Sequence, residues 1–341
     1  MTVLTLSIAD LSFVFWLTAL SFMLAIGLTP FLTNLLYSKK VWKQPKEVAI
    51  TGEKAPVYAK LHKEKHRRLV PTMAGILIWG VASLVTVIFN FDRAGTWLPL
   101  FTLVAAGLLG LLDDYVNIRS TRSGIRGINA QLKLGLQFAI GVAGAWWFYS
   151  KLGFDLLHVP GFGDISIGLF YVPLFILVII ATANAVNITD GLDGLAGGLV
   201  SIAFAAYSII ALTQGKTELA AFCGTIVGTT LAYTWFNIYP ARFFMGDTGS
   251  LALGATLGVV AMLTNQALVL LVIGGVFVLE TLSSILQIWS KRIRGKKIFL
   301  SAPIHHHFEA IGWPETKVTM RFWVFGAICA VVGLVIAFLG K

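Results

Sequence analysis

Two cysteines in 341 residues, Cys223 and Cys329, both inside apolar runs, exclude a disulfide framework and a cysteine-based metal or redox centre. Charge is scarce as well. Asp, Glu, Lys and Arg make up 12% of the chain against 57% apolar residues, and a mean hydropathy of +0.82 excludes a water-soluble globule. Ten prolines, no low-complexity tract and no sustained heptads exclude a collagenous, disordered or coiled-coil chain. The net charge is +10, but the basic residues flank apolar runs and make no continuous patch on a polar domain, so no nucleic-acid partner is expected. The first ten residues hold no Lys or Arg, so a cleaved signal peptide is not expected.

What the chain does have is long apolar stretches. A bilayer core takes roughly 20 apolar residues per helix. Ten such runs lie near Phe13 to Leu36, Pro71 to Asn90, Thr96 to Leu112, Ala130 to Ser150, Gly168 to Asn187, Gly194 to Thr213, Leu219 to Asn237, Gly249 to Thr264, Ala267 to Ser290 and Arg321 to Gly340. The fold class expected is an all-α polytopic membrane protein of about ten transmembrane helices, a single integral membrane domain over 1–341. Alternating the connections between two sides puts 22 of the 26 Lys and Arg on one side. By the positive-inside rule that side is cytoplasmic, with loops near 38–70, 113–133, 187–194, 238–249 and 291–320, and both termini are periplasmic. The loop 38–70 is the most basic and suits attraction to anionic lipid. Its His62 and His66 lack the Glu that a zinc-protease pattern needs after the first His and read as solvated.

Carboxylates carry the chemical signal, because an ionised acid at a membrane helix end is costly. Asp113, Asp114, Asp190, Asp193 and Asp247 all fall at the expected cytoplasmic ends of apolar runs. Asp113 and Asp114 are neighbours, about 100° apart on a helix, so they suit different jobs: one approaches a cation, the other orients or deprotonates a nucleophile. Asn187-Ile188-Thr189-Asp190-Gly191-Leu192-Asp193-Gly194 has two acids three apart, which share a face if the segment is helical; a tight glycine turn is the other reading. Phe243-Phe244-Met245-Gly246-Asp247 places an acid where an eighth span opens. There it caps a helix or, as a hard oxygen ligand, takes Mg²⁺. Phe244 is a packing residue or a platform for a base. His305, His306 and His307 stand in the last basic loop beside Lys291, Arg292, Arg294, Lys296 and Lys297, a setting that suits phosphate better than zinc. Lys133 and Asn237 are further candidates for phosphate and polar contacts. Acids for Mg²⁺ and bases for phosphate at one membrane face describe phosphoryl transfer between a soluble donor and a lipid.

The motifs Leu111-Leu112-Asp113-Asp114-Tyr115, Asn187 to Ala196, Trp235-Phe236-Asn237, Phe244 to Leu253, Ala302 to His307 and Gly312-Trp313-Pro314-Glu315 resemble those of the phospho-N-acetylmuramoyl-pentapeptide transferases, within the polyprenyl-phosphate sugar-1-phosphate transferase superfamily. They are spread over nearly the whole chain in the family's order, and the triple histidine is the most specific. The resemblance implies transfer of phospho-MurNAc-pentapeptide from UDP-MurNAc-pentapeptide to undecaprenyl phosphate, giving lipid I and UMP with Mg²⁺ at the bacterial inner membrane. It implies ten helices and a homodimer. By matching motif, Asp113, Asp114 and Asp247 are the catalytic acids, with Asp247 the metal ligand. Asn187, Asp190, Gly191, Leu192, Asp193, Asn237 and Phe244 are nucleotide-side residues, and His305 to His307 form the loop that meets the donor. Direct attack by the lipid phosphate is preferred to a covalent phospho-enzyme. One departure is Leu69-Val70-Pro71-Thr72-Met73-Ala74-Gly75, where the family usually reads Gly-Thr-Pro-Thr-Met-Gly-Gly. A relative using another UDP-sugar would differ around His305 to His307. A transporter would place its acids at mid-membrane on broken helices.

Overall fold

The computed structural model describes residues 7–42, 69–92, 95–119 and 127–339. His62, His66 and most of the basic 38–70 segment lie outside these residues, as does part of 113–133.

Helices dominate. They are α1 (Ile8–Ser38), α2 (Gly75–Phe89), α3 (Trp97–Arg119), α4 (Ala130–Trp146), α5 (Tyr171–Thr189), α6 (Leu195–Thr213), α7 (Thr217–Asn237), α8 (Gly246–Leu263), α9 (Leu270–Ile273), α10 (Gly275–Arg294), α11 (Ile304–Ala310) and α12 (Glu315–Leu339). Among the described residues seven helices are long and apolar enough to cross a membrane: α1, α3, α5, α6, α7, α8 and α12. Each of the ten apolar runs falls on a helix, but α2 has 15 residues, α4 has 17, and the run from Ala267 breaks at Gly274 into α9 and α10. Helix α10 then runs past the apolar stretch to Arg294, with Lys291, Arg292 and Arg294 in its last turn, where cations complement the carbonyl end of the helix.

The bundle has a clear inside and outside. In its most apolar stretch α8 is 94% buried, whereas α1 is 22% buried, so α8 is the central post and α1 and α12 lie toward the periphery. Helix α8 packs chiefly on α3 and α5 and also on α2 and α6; α1 packs on α7. Lipid is as apolar as leucine, so close backbone approach and van der Waals contact must hold such helices together. Glycine makes that approach possible at two crossings. A Cβ on Gly75 would run into the backbone of Thr248 and Gly249, and one on Gly110 into the backbone of Asp247 and Thr248. Both crossings lie at the first turn of α8, which carries Asp247.

A small hairpin, β1 (Leu156–Val159) paired antiparallel with β2 (Gly163–Ser166), interrupts the otherwise helical chain between α4 and α5. Apolar run counting passes over it because a four-residue strand gives no signal of that length. The hairpin sits at one end of the bundle, where the His158 amide donates to Asn265 Oδ1 at 2.9 Å just beyond the C-terminus of α8.

Candidate active site

The opposite end of the bundle collects the acids. Helix α3 extends seven residues past its apolar run, so Asp113 and Asp114 are held in a rigid helix and are only 7% and 2% exposed. Their side chains part, as neighbouring helical positions must. Asp113 Oδ1 accepts from the Ile128 amide at 2.8 Å, and its Oδ2 accepts from Lys133 Nζ at 3.1 Å. Asp114 Oδ2 accepts from the Thr248 amide at 3.0 Å and from Thr248 Oγ1 at 2.8 Å, tying α3 to the first turn of α8. One acid faces Lys133; the other anchors the helix that carries the third acid.

Asp247 meets the same lysine. Lys133 Nζ donates to Asp247 Oδ2 as well, so carboxylates from α3 and α8 converge on one ammonium from α4. Asp247 Oδ1 accepts from Asn187 Nδ2 at 3.0 Å, and that amide also donates to Ser250 Oγ at 2.8 Å. Four helices thus place Asp113, Lys133, Asn187 and Asp247 in one network. Two ionised carboxylates and one ammonium leave a net local charge of about −1, held in surroundings that are mostly out of water. Such a group attracts a further cation through hard oxygen atoms, while the ammonium offers hydrogen bonds to an anion. Among the described residues no set of three or more His, Cys, Asp and Glu side chains is placed to hold a metal.

The second wall of the site is the turn between α5 and α6. Here the conditional expectation of a helical face fails: α5 ends at Thr189, Asp190 caps it, α6 starts at Leu195, and the two acids lie in a non-helical turn. Asp190 and Gly191 are half-buried, while Leu192 and Asp193 are buried. Asp193 is fixed from two sides: its amide donates to Glu315 Oε1 at 2.6 Å, and its Oδ2 accepts from the Ala241 amide at 2.9 Å. Asn237 closes the connection. Its Oδ1 accepts from the Gly194 amide at 2.9 Å and its Nδ2 donates to the Phe243 carbonyl at 2.7 Å.

That last contact leads to Phe244. Phe243 is fully buried against Tyr233 and Phe236, whereas Phe244 is half-buried. The Phe244 amide donates to the Pro71 carbonyl at 2.8 Å, and its own carbonyl accepts from the Ala74 amide at 3.0 Å. The Leu69 to Gly75 segment, where the sequence departs from the family pattern, therefore runs as a backbone strap beside the loop before Asp247.

The three histidines stand on α11, a short helix inside what the sequence reads as a loop. They separate. His305 is fully buried and its Nδ1 lies 2.9 Å from Glu280 Oε2; His306 is buried with its Nδ1 2.7 Å from Glu309 Oε2; His307 is half-buried and its Nδ1 accepts from the Leu300 amide at 3.3 Å. His305 reaches the 190–193 turn, because a Cβ on Gly191 would press into its imidazole.

Sequence reading passed over Glu280, Thr248 and Gln287. Gln287 on α10 clamps the loop before α11: its Oε1 accepts from the Ile298 and Phe299 amides at 3.1 and 3.0 Å, and its Nε2 donates to the Phe299 carbonyl at 3.0 Å. Glu280 had a usable signal as an acid within the apolar run from Ala267 to Ser290, where an ionisable residue is a functional candidate by default. Thr248 had none, since a threonine at a helix start is ordinary.

Comparison with known proteins bears on this geometry. The family model described as glycosyl transferase family 4 matches residues 96–265, the stretch that carries Asp113, Asp114, Lys133, the 187–194 turn and Asp247. A phospho-N-acetylmuramoyl-pentapeptide-transferase of Chloroflexus aurantiacus is 42% identical over 281 residues, covering 78% of this chain and 77% of its own length. One of Geobacillus sp. WCH70 is 40% identical over 323 residues, covering 93% and 95%, and one of Thermodesulfovibrio yellowstonii is 39% identical over 334 residues, covering 92% and 91%. With likeness of that degree over nearly its full length, the chain belongs to the phospho-N-acetylmuramoyl-pentapeptide-transferase family.

Proposed function

We propose that the protein transfers phospho-MurNAc-pentapeptide from UDP-MurNAc-pentapeptide to undecaprenyl phosphate, giving lipid I and UMP, at the cytoplasmic face of the bacterial inner membrane. The observation that carries this reading is the convergence of Asp113 and Asp247, from separate helices, on Lys133, beside the turn that holds Asp190 and Asp193. Membership of the family supports this choice of donor and acceptor. In this reading all ten apolar runs span the bilayer, both termini are periplasmic, and the protein works as a homodimer.

A lipid phosphate is already a nucleophile, so the chain's task is to place it in line with the β-phosphate and to hold charge. An oxygen of undecaprenyl phosphate forms the new bond to the β-phosphorus, the α–β bridge bond breaks, and UMP leaves with its electron pair. Lys133 hydrogen-bonds the diphosphate oxygens and offsets their charge. Asp113 orients the acceptor phosphate and takes its proton where one is present. Asp114 holds the first turn of α8 so that Asp247 keeps its position. Asp190, Gly191, Leu192, Asp193, Asn237 and Phe244 take the uridine end, with Phe244 as the half-buried platform for the base.

Mg²⁺ is the ion this donor set fits: it commonly takes one or two carboxylates and completes its shell with phosphate oxygens and water, so no closed protein cage is required. Asp247 would hold it, with Asp113 nearby, and it would neutralise charge on the diphosphate.

The test is UMP release by purified protein. It is expected only when UDP-MurNAc-pentapeptide, undecaprenyl phosphate and Mg²⁺ are all present. Turnover of UDP-GlcNAc in place of that donor, or UMP release without the lipid, would overturn the reading.

A further inference from the structure

Within the triple histidine the partners differ in reach. His306 Nδ1 lies 2.7 Å from Glu309 Oε2 three residues on, and His307 Nδ1 accepts from the Leu300 amide seven residues back. His305 joins two remote elements. Its Nδ1 lies 2.9 Å from Glu280 Oε2 on α10, and its other edge lies against Gly191 in the α5–α6 turn. Both side chains of the pair are fully buried, and neither His305 Nε2 nor Glu280 Oε1 has a hydrogen-bond partner among the described residues.

That arrangement is poor for stability. Burying a carboxylate and an imidazole with one polar atom unsatisfied on each costs more than an apolar pair of the same shape. It is good for fixing a ring. The Glu280 carboxylate accepts only from Nδ1–H, so the neutral imidazole has its lone pair on Nε2, and ring rotation would break the bond to Glu280. The locked edge abuts the Cα of Gly191, where a Cβ would lie 2.9 Å from His305 Cε1 and nearer still to Nε2. The Gly191 amide meanwhile donates to the Thr189 carbonyl at 2.8 Å, and Asp193 is tied to Glu315 and Ala241, so the turn is held at its other points as well.

We infer that Glu280 and His305 form a buried positioning pair that sets the Asp190–Asp193 turn for nucleotide binding from behind, without either side chain touching the nucleotide. The inference rests on the proposed function for its ligand, a uridine diphosphate donor. It explains why residue 191 is glycine: the backbone is the surface against which the imidazole bears. It also gives the acid in the α10 run a task that apolar packing could not perform.

The experiment uses the full-length protein in detergent, with steady-state kinetics in each substrate and thermal unfolding of every variant. Glu280→Leu is expected to raise the donor KM at least about tenfold with kcat reduced less than about threefold and the lipid KM unchanged, while Glu280→Gln, whose amide oxygen still accepts from Nδ1–H, stays within about threefold of wild type. Gly191→Ala is expected to lower Tm in the wild-type background and to change it by no more than about 1 °C in a His305→Ala background, because the colliding ring is gone. Additive Tm effects of Gly191→Ala and His305→Ala, or equal losses in kcat and in both KM values for Glu280→Leu, would overturn the inference. If Glu280→Leu does not fold, the Gly191–His305 cycle decides the matter. If wild-type protein does not turn over UDP-MurNAc-pentapeptide, the proposed function falls by itself, and the thermal cycle, which needs no substrate, still shows whether the ring bears on the turn.

Discussion

Helices α7 and α8 each contribute to both ends of the bundle, α7 through Thr217 and Asn237 and α8 through Asp247 and Leu263, and the two ends treat polar side chains in opposite ways. At the hairpin end the side chains serve the backbone. Asn90 Nδ2 donates to the Glu218 carbonyl at 2.8 Å, Gln214 Nε2 to the Thr264 carbonyl at 2.8 Å, Lys216 Nζ to the Leu263 carbonyl at 2.7 Å and Tyr207 OH to the Gln266 carbonyl at 2.9 Å. The contacts to Leu263 and Thr264 satisfy carbonyls at the C-terminus of α8 that would otherwise be orphaned, and the lysine complements the negative end of that helix. At the acid end the groups face each other: two carboxylates crowd one ammonium, and a third, Asp114, anchors the neighbouring turn. Backbone closure accounts for those four contacts at the first end. It does not explain why like charges are gathered at the second, which is the mark of a site arranged for a charged ligand.

Substitutions at each end sharpen the contrast. The largest effect is expected for Asp247→Ala, which should lower kcat by about 1,000-fold or more with an unfolding midpoint close to wild type; retained turnover would remove Asp247 from the chemistry. Next comes Lys133→Met, which leaves Asp113 and Asp247 facing each other. Loss of about 100-fold in kcat/KM is expected, together with a lower Tm, because stripping the partner from a buried pair leaves charge uncompensated. Asn187→Ala should cost about tenfold in kcat/KM, since it frees one oxygen of Asp247 without removing the carboxylate. Smallest in activity is Asp164→Asn at the hairpin, where Asp164 Oδ1 lies 2.7 Å from His158 Nδ1: activity within about twofold and a Tm lowered by about 1 °C. A hairpin substitution that abolished turnover while sparing Tm would break the comparison.

How much of this was legible in the sequence follows from where each signal lies. All ten apolar runs fall on helices because hydrophobic length needs no tertiary information, but chain length alone could not show that α2 is short or that the run from Ala267 bends at Gly274. Asp113, Asp190 and Asp247 stood out as acids at run ends, and the structure joins Asp113 and Asp247 through Lys133. The particular partners were out of reach. Lys133 pairs with residues 20 and 114 positions away, and nothing in local spacing specifies that. Asp113 and Asp114 were expected to take different jobs from the 100° rule, and their side chains do part toward Lys133 and Thr248. The hairpin was invisible because strands of four residues fall below any apolar-run signal. Glu280 was visible as an acid in an apolar run, but its meaning depended on His305, 25 residues on.

The claim beneath all of this is that the acid end faces the cytoplasm and receives the donor, while the hairpin end lies across the membrane. Single cysteines test it most directly, in a Cys329→Ser background, since Cys223 is fully buried. Arg242→Cys marks the acid end and Phe162→Cys the tip of the hairpin, both exposed positions. In oriented vesicles a membrane-impermeant maleimide should label position 242 only from the cytoplasmic face, more slowly with saturating UDP-MurNAc-pentapeptide and Mg²⁺, and position 162 only from the periplasmic face at a rate the donor does not change. Labelling of both positions from one face, or donor protection at position 162, would contradict the account.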